Sequence, residues 1–296
     1  MDQRRTSNPL QEQAEQVAAA LPPLLAEAEK LAASVSLGVH GRRKAGMGES
    51  FWQFRRYAPE DPAAAIDWRQ SAKSQHLFVR EREWEAAQAV WFWRDASATM
   101  RFKSEYAETT KSDRAAVLAL ALGSLLLRGG ERIGLFGRER PPSSGRATLR
   151  RIAHELVGSD DRALPPDVPV SRSAQIVWLS DFLAAPEDIE KAIRRLSAAG
   201  ARGNFVHIVD PAEEDFPFEG RTRFDALAGK ESELFGRAES VRDAYCERFR
   251  AHAQAVANLA RRFGWTYLSH RTDNSPQLAL IALYAAIGGE AAQRIA

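Results

Sequence analysis

Apolar residues in the second two thirds of the chain fall into short runs that alternate with helical segments. The strand-like runs are AVWFW, IGLFG, QIVWLS, NFVHIVD and WTYLS. Helical spacing is seen in DRAAVLALALGSLLL, TLRRIAHEL, EDIEKAIRRLSAAG, residues 239–263 and PQLALIALYAAI. Strands that alternate with helices pair in parallel through right-handed crossovers. The pattern therefore predicts an α/β fold of Rossmann-like type, an open and mostly parallel sheet with helices on both faces.

The first 85 residues have a different texture. Residues 10–35 carry Leu, Val and Ala at helical spacing, which predicts an amphipathic helix. Residues 40–85 are rich in aromatic, charged and glycine residues, and HLFVRERE alternates apolar with charged positions, which predicts a strand antiparallel to its successor. We therefore expect an N-terminal helix and an Arg/aromatic-rich extension over 1–85. The α/β domain with a C-terminal helical elaboration then spans 86–296, since the loops over 138–146 and 158–173 are too short to divide it.

Composition narrows the classes of partner. The 296 residues include 41 Lys and Arg against 39 Asp and Glu, so the net charge of +2 gives no field that attracts nucleic acid. The nine basic residues of 41–85 are interleaved with seven acidic ones, which favours ion pairs over a phosphate-binding surface. The N-terminus lacks the pattern of a signal peptide, and no apolar run reaches the roughly 20 residues of a transmembrane helix. With a single cysteine, the expectation is a cytoplasmic protein without a membrane span.

Candidate chemistry follows the strands, because ligands bind beyond the carboxyl ends of parallel strands. Asp95, Ser97 and Thr99 follow VWFW, Asp181 follows IVWL, and Thr148 lies before the helix TLRRIAHEL. Carboxylates with hydroxyls are ligands that Mg²⁺ accepts. If Asp95 and Asp181 lay about 5 Å apart, their repulsion of roughly 3 kcal/mol at an effective dielectric of 20 would call for a cation or a bound proton. The alternative is that these residues only cap helices and form turns.

WRDASATM resembles the metal-ion-dependent adhesion site of von Willebrand factor A domains, whose first motif is Asp-x-Ser-x-Ser. SDF resembles the strand-end Asp of the same site. The resemblance implies a von Willebrand factor A-like fold. It also implies an Mg²⁺ or Mn²⁺ site with Asp95, Ser97 and Thr99 as the first ligands, Asp181 as the last, and Thr148 as the loop threonine. Thr99 stands where the motif has serine.

The preceding segment resembles the bacterial domain-of-unknown-function 58 family. The resemblance lies in a glycine-rich element over 46–49, an Arg-x-Tyr element and an Ile-Asp-Trp-Arg element. The signature residues of the last two elements are Arg55, Arg56, Tyr57, Asp67, Trp68 and Arg69. The resemblance implies a non-enzymatic, protein-binding adaptor that works with a MoxR-type AAA+ ATPase in protein maturation or complex assembly. A partner's carboxylate would take the open metal position. Many relatives carry transmembrane helices near the N-terminus, whereas none is predicted in this sequence. This chain is therefore expected to be a cytoplasmic version, membrane-peripheral through partners at most.

The enzymatic alternative is a haloacid-dehalogenase-like, metal-dependent phosphotransferase. VWFWRDASAT approaches the nucleophile motif Asp-x-Asp-x-Thr of that class, but Ser97 stands at the second acid, and a serine does not readily protonate a leaving group at neutral pH. Serine hydrolase, ATPase and zinc chemistry have no support, since the sequence contains no Gly-x-Ser-x-Gly, no phosphate-binding Gly-x-x-x-x-Gly-Lys and no His-Glu-x-x-His motif.

Overall fold

The computed structural model describes residues 23–35, 51–57, 66–73, 76–82, 89–158, 161–227 and 231–293. The chain forms two compact units, of which the smaller spans His40–Ala87 and the larger holds the rest. Helix α1, over 23–35, belongs to the larger unit, whereas the sequence analysis grouped it with the extension. The first part of the expected N-terminal helix, over 10–22, lies outside the described residues.

The smaller unit contains an antiparallel pair of strands. Its elements are β1 (Phe51–Arg56), α2 (Trp68–Ser71) and β2 (Phe78–Arg82). The strand expected in HLFVRERE is present as β2, but the predicted partner was wrong, because β2 pairs with β1, which precedes it. Only the central part of β1, WQFR, alternates apolar with polar residues, and both strands of the pair come from within this unit.

The signature residues lie in β1, directly after it, and around the start of α2, and they are Arg55, Arg56, Tyr57, Asp67, Trp68 and Arg69. The backbone N–H of Tyr57 donates to the Leu77 carbonyl at 2.8 Å, and that of Asp67 donates to the Phe78 carbonyl at 2.8 Å. These bonds tie both ends of the β1–α2 connection to the start of β2. Residues 46–49, the glycine-rich element, lie outside the described residues.

The larger unit is an α/β domain, as the alternating pattern predicts. Its elements after α1 are β3 (Ala89–Arg94), α3 (Lys111–Arg128), β4 (Arg132–Leu135), α4 (Arg146–Val157), β5 (Gln175–Ser180), α5 (Pro186–Ala198), β6 (Arg202–Val209), α6 (Pro211–Asp215), β7 (Thr222–Asp225), β8 (Ser232–Phe235), α7 (Arg242–Arg262), β9 (Thr266–Arg271) and α8 (Pro276–Gln293). The central sheet is parallel throughout, with the order β4-β3-β5-β6-β9. None of the helices within the described ranges is long and apolar enough to cross a membrane.

The sheet is buried on both faces. Alternate residues of a strand point to opposite sides, so Val177 and Leu179 of β5 pack with α1, α3, α4 and α8, while Ile176 and Trp178 pack with α5 and α7. This explains why β5 is a continuous apolar run. Helix α3 lies deepest, since 14 of its 18 residues are buried.

Two features of the larger unit were not predicted. Helix α6 follows β6, and β7 and β8 form an antiparallel hairpin in which Thr222 pairs with Phe235. In addition, the chain after β4 folds back, and Ser143 forms an antiparallel bridge with Ile133 of β4. Helix α4 therefore starts beside the first half of β4 and not beyond its carboxyl end.

Candidate functional site

The predicted carboxylates meet where the winding of the sheet reverses. The chain leaves β3 for β4 on one side and returns to β5 on the other, and β3 pairs directly with β5. Such a reversal opens a crevice at the carboxyl ends of the strands. Asp95 follows β3 and Asp181 follows β5, so the register of these two strands brings both acids to this position.

Asp95 is fixed by three hydrogen bonds. Its backbone N–H donates to the Leu179 carbonyl at 2.9 Å and extends the β3–β5 ladder by one residue. Its carboxylate accepts the Ser97 N–H on Oδ1 at 2.8 Å and the Ser180 hydroxyl on Oδ2 at 2.7 Å. The carboxylate is only 1% exposed, and it therefore holds the loop and the neighbouring strand together.

The two hydroxyl-bearing residues predicted beside Asp95 lie closer to the surface. Ser97 Oγ lies 2.9 Å from Thr99 Oγ1, and both residues are half-buried at the 3-10 turn Ala98–Arg101. The structure thus brings Asp95, Ser97, Thr99 and Asp181 together, with both carboxylates and the Ser97 hydroxyl oxygen buried.

Asp181 is paired with a lysine that the sequence analysis did not identify. Lys111 Nζ donates to Asp181 Oδ2 at 2.9 Å and also to Glu213 Oε1. The Lys111 side chain is fully buried and that of Asp181 is 2% exposed. The other oxygen, Asp181 Oδ1, accepts the N–H of Leu183 at 3.2 Å. An ammonium therefore already neutralises this carboxylate.

Asp95, Asp181, Lys111 and Glu213 form a polar cluster, and a fourth acid connects this cluster to the loop after β3. Asp210, which follows β6, accepts the N–H of Ser104 on Oδ2 and that of Ala212 on Oδ1, both at 2.9 Å. Glu213 in turn accepts the Asp210 N–H on Oε2 at 2.9 Å. This is a capping box at the start of α6, and it directs Glu213 towards Lys111.

Burial dominates the electrostatics of the cluster. Desolvation raises the pKa of Asp95, and the charge of Asp181 adds to the rise. Burial also raises the pKa of Glu213. Burial alone would lower the pKa of Lys111, but Asp181 and Glu213 outweigh it and raise that pKa. Desolvation lowers the pKa of nearby His207 to about 4, so its imidazole is neutral at pH 7.

Thr148 is not brought to this cluster. It lies in the first turn of α4, where its hydroxyl contacts Ser143 Oγ at 2.8 Å and donates to the Ser144 carbonyl at 3.1 Å. The opposite end of α4 approaches β3, since Arg94 donates to the Leu156 carbonyl at 2.8 Å. Eight residues of helix separate Thr148 from Leu156, about 12 Å at the usual rise. The fold-back after β4 is the physical reason.

The predicted ligands meet the needs of Mg²⁺ only in part. Ser97 Oγ and Thr99 Oγ1 have the spacing of adjacent ligands in an octahedron, which is about 2.9 Å for bonds of 2.0–2.1 Å. Asp181 Oδ2, however, is held by Lys111. Within the described ranges, no group of three or more His, Cys, Asp or Glu side chains could hold a metal ion. As it stands, the predicted ligand set does not fit a divalent ion.

An aromatic cavity adjoins the cluster at Glu213. Its volume is about 860 Å³, within the usual range for ligand sites. Its lining includes seven aromatic residues, namely Phe102, Tyr106, Phe216, Phe218, Phe224, Phe235 and Tyr245. The loop after β3 contributes the first two rings, and α6, the β7–β8 hairpin and α7 supply most of the remaining wall. The segment between β6 and α7 thus extends the polar site into an apolar surface.

Several known proteins are similar to this chain over most of its length. Uncharacterized proteins of Mycobacterium bovis and Mycobacterium tuberculosis are each 28% identical over 250 residues, covering 77% of this chain and 76% of the relative. Among solved structures, an aerotolerance-related membrane protein from Bacteroides fragilis is 16% identical, with a TM-score of 0.39 over 68% of this chain and all of that one. Conserved hypothetical protein BatB from Bacteroides thetaiotaomicron is 13% identical, with a TM-score of 0.40 over 70% of this chain and all of that one. The family described as "Protein of unknown function DUF58" matches residues 53–255, more than half of the chain, and the chain belongs to this family.

Proposed function

We propose that the chain is a non-enzymatic, protein-binding adaptor whose larger unit is a von Willebrand factor A-like domain. The partner that we propose is a MoxR-type AAA+ ATPase, and the role is in protein maturation or complex assembly. The order of the parallel sheet and the position of Asp95, Ser97, Thr99 and Asp181 at its reversal point support the von Willebrand factor A assignment.

The observation that carries the proposal is the exposure of apolar side chains beside the site. The half-buried residues Ser97 and Thr99 lie in the loop after β3, which also exposes Tyr106 (50%), and the loop after β5 exposes Leu183 (49%). We call these four residues the rim surface. Apolar side chains exposed beside polar groups are typical of surfaces that bind other proteins.

The state of Asp95 supports a binding role over phosphoryl transfer. An attacking carboxylate needs an oxygen that faces the substrate, but Asp95 is 1% exposed and its two oxygens accept bonds from Ser97 and Ser180. Ser97 also stands where a general acid would be needed. Hydrolysis of a generic aryl phosphate by the full chain distinguishes the phosphotransferase from the adaptor.

The proposal is tested by the binding of the full chain to a MoxR-type AAA+ ATPase encoded near it, measured by biolayer interferometry with and without ATP. Leu183→Asp places a charge on the rim surface and should weaken binding at least about tenfold, as expected for an apolar contact at the centre of an interface. Because Leu183 is exposed, the fold should not change.

Ile281→Asp is the matched control, since Ile281 is 43% exposed on α8 and the same charge is introduced there. This variant should bind as the wild type does. Equal loss in both variants would remove the rim surface as the docking site. If the wild type does not bind the ATPase either with or without ATP, the proposed partner is wrong.

A further inference from the structure

The buried ammonium of Lys111 is the unusual element of the cluster. Lysine is rarely buried without a partner, because removing its charge from water is costly. Lys111 is fully buried, and its Nζ contacts carboxylates of two separate elements, Asp181 after β5 and Glu213 of α6. Its position therefore depends on those two acids.

The location of Lys111 on its helix makes this dependence stronger. Lys111 is the first residue of α3, and the positive end of the helix dipole disfavours a cation there. The N-cap Thr110 and the acidic Asp113 follow the usual preference of a helix start, whereas Lys111 does not. The two carboxylates thus compensate both burial and the dipole.

The carboxylate oxygens of the cluster are already engaged. Asp95 Oδ1 and Oδ2 accept from Ser97 N–H and Ser180 Oγ. Asp181 Oδ1 and Oδ2 accept from Leu183 N–H and Lys111 Nζ. A divalent ion beside Asp181 would meet the ammonium at close range, and the repulsion between the two cations disfavours binding while Lys111 is charged.

We infer that the Lys111 ammonium is the resident cation of this cluster and takes the place beside Asp181 that a divalent ion would occupy. The chain therefore holds its strand-end site together without Mg²⁺ or Mn²⁺. Removal of the Lys111 charge opens Asp181 Oδ2 and converts the cluster into a divalent-ion site. This inference stands on the cluster alone and does not use the identity of the partner.

The test compares the wild-type chain with Lys111→Met by thermal unfolding and by calorimetric titration with MgCl₂ and MnCl₂. The wild type should show no heat of binding and the same Tm in chelator and in either salt. Lys111→Met should lower the Tm in chelator by about 10 °C, because it leaves buried carboxylates without a counter-charge. Divalent ion should bind the variant and restore part of that loss.

Two further variants keep the test decisive. Lys111→Arg retains the charge and should respond to metal no more than the wild type does. If Lys111→Met does not fold, Lys111→Met with Asp181→Asn should fold better, because the uncompensated charge is removed. Binding of Mg²⁺ or Mn²⁺ by the wild type that Asp95→Asn abolishes would overturn the inference. A folded Lys111→Met chain that gains no response to divalent ions would also overturn it.

Discussion

Helix α6 carries three consecutive acids that enter two different environments. Glu213 turns inward to the fully buried Lys111, whereas Glu214 and Asp215 turn outward to Arg271. The Arg271 side chain is 26% exposed, so water reaches the ion pairs that Arg271 makes with Glu214 and Asp215. Adjacent acids of one short helix therefore form a buried ion pair and a surface network.

Burial, and not the number of contacts, decides how much an ion pair contributes to the free energy of unfolding. The surface network has more bonds, since Arg271 also donates to Asp273 at 2.9 Å. Exposed pairs nevertheless contribute only about 0–1 kcal/mol, because water and salt screen them. Breaking a buried pair costs about 3–5 kcal/mol, because one charge remains without a partner. We expect the buried group to respond to pH and the surface group to respond to salt.

The largest difference between buried and exposed groups should appear in acid, through His207, which is buried near Asp181. His207 lies beside Phe182 and Tyr267, and its pKa falls from 6.5 in the unfolded chain to about 4 in the folded chain. The unfolded chain takes up the proton first, so the stability from neutral His207 is complete above pH 6.5 and is lost as the pH falls through about 4. The full difference is about 3 kcal/mol. Urea unfolding at pH 7, 5.5 and 4.5 measures it.

His207→Gln is the comparison variant, because an amide can still bond the Tyr267 hydroxyl but does not titrate. Its stability should fall less with acid than that of the wild type. Asp95 and Glu213 have raised pKa values and act in the opposite direction, but they are present in both proteins and cancel in the difference. Identical pH dependence in the two proteins would contradict the prediction.

A smaller effect should distinguish neighbouring acids on α6. Glu213→Gln removes the charge that faces Lys111 but keeps an oxygen acceptor, so we expect a loss of about 1–3 kcal/mol in the free energy of unfolding. Glu214→Gln makes the same chemical change on the exposed side and should cost less than about 0.5 kcal/mol. Equal losses in denaturant unfolding would show that the inward and outward positions are equivalent.

The smallest effect should come from Arg271→Ala. It removes every ion pair of the surface network, yet we expect a loss of less than about 1 kcal/mol. At about 1 M NaCl the Debye length is near 3 Å, and wild type and variant should then differ even less. Unfolding in low and high salt checks this. A loss that persists in high salt would mean that the aliphatic part of Arg271 contributes by packing.

The sequence predicts the central sheet well but not the small additions. Strand β5 is buried at every position and its four central residues, 176–179, are all apolar, which is an unambiguous signal for a strand buried on both faces. The strands β7 and β8 have four residues each and are largely exposed, so their pattern is too short to separate from a loop. The partner of β2 was predicted wrongly, because β1 alternates over only four residues and gives a weak strand signal.

The sequence predicts the two aspartates of the site but not the lysine and glutamate that complete it. Asp95 and Asp181 each come one residue after an apolar run, so strand order alone brings them together. Lys111 and Asp181 are 70 residues apart, and Lys111 and Glu213 are 102 apart, with each contact made by a different element. A lysine at a helix start is typical of the surface, and only the three-dimensional packing places it inside. Thr148 was expected at the rim because the fold-back after β4 leaves no clear pattern in the sequence.

Helix α3 gives the site a connection to the far side of the domain. It begins at Lys111 and runs for 18 residues, about 27 Å, with close contacts on nearly all of its surface. A close-packed helix has no free space in which to bend or turn. We therefore expect loss of the Lys111 ion pairs to destabilise the packing around the whole helix and not one loop alone.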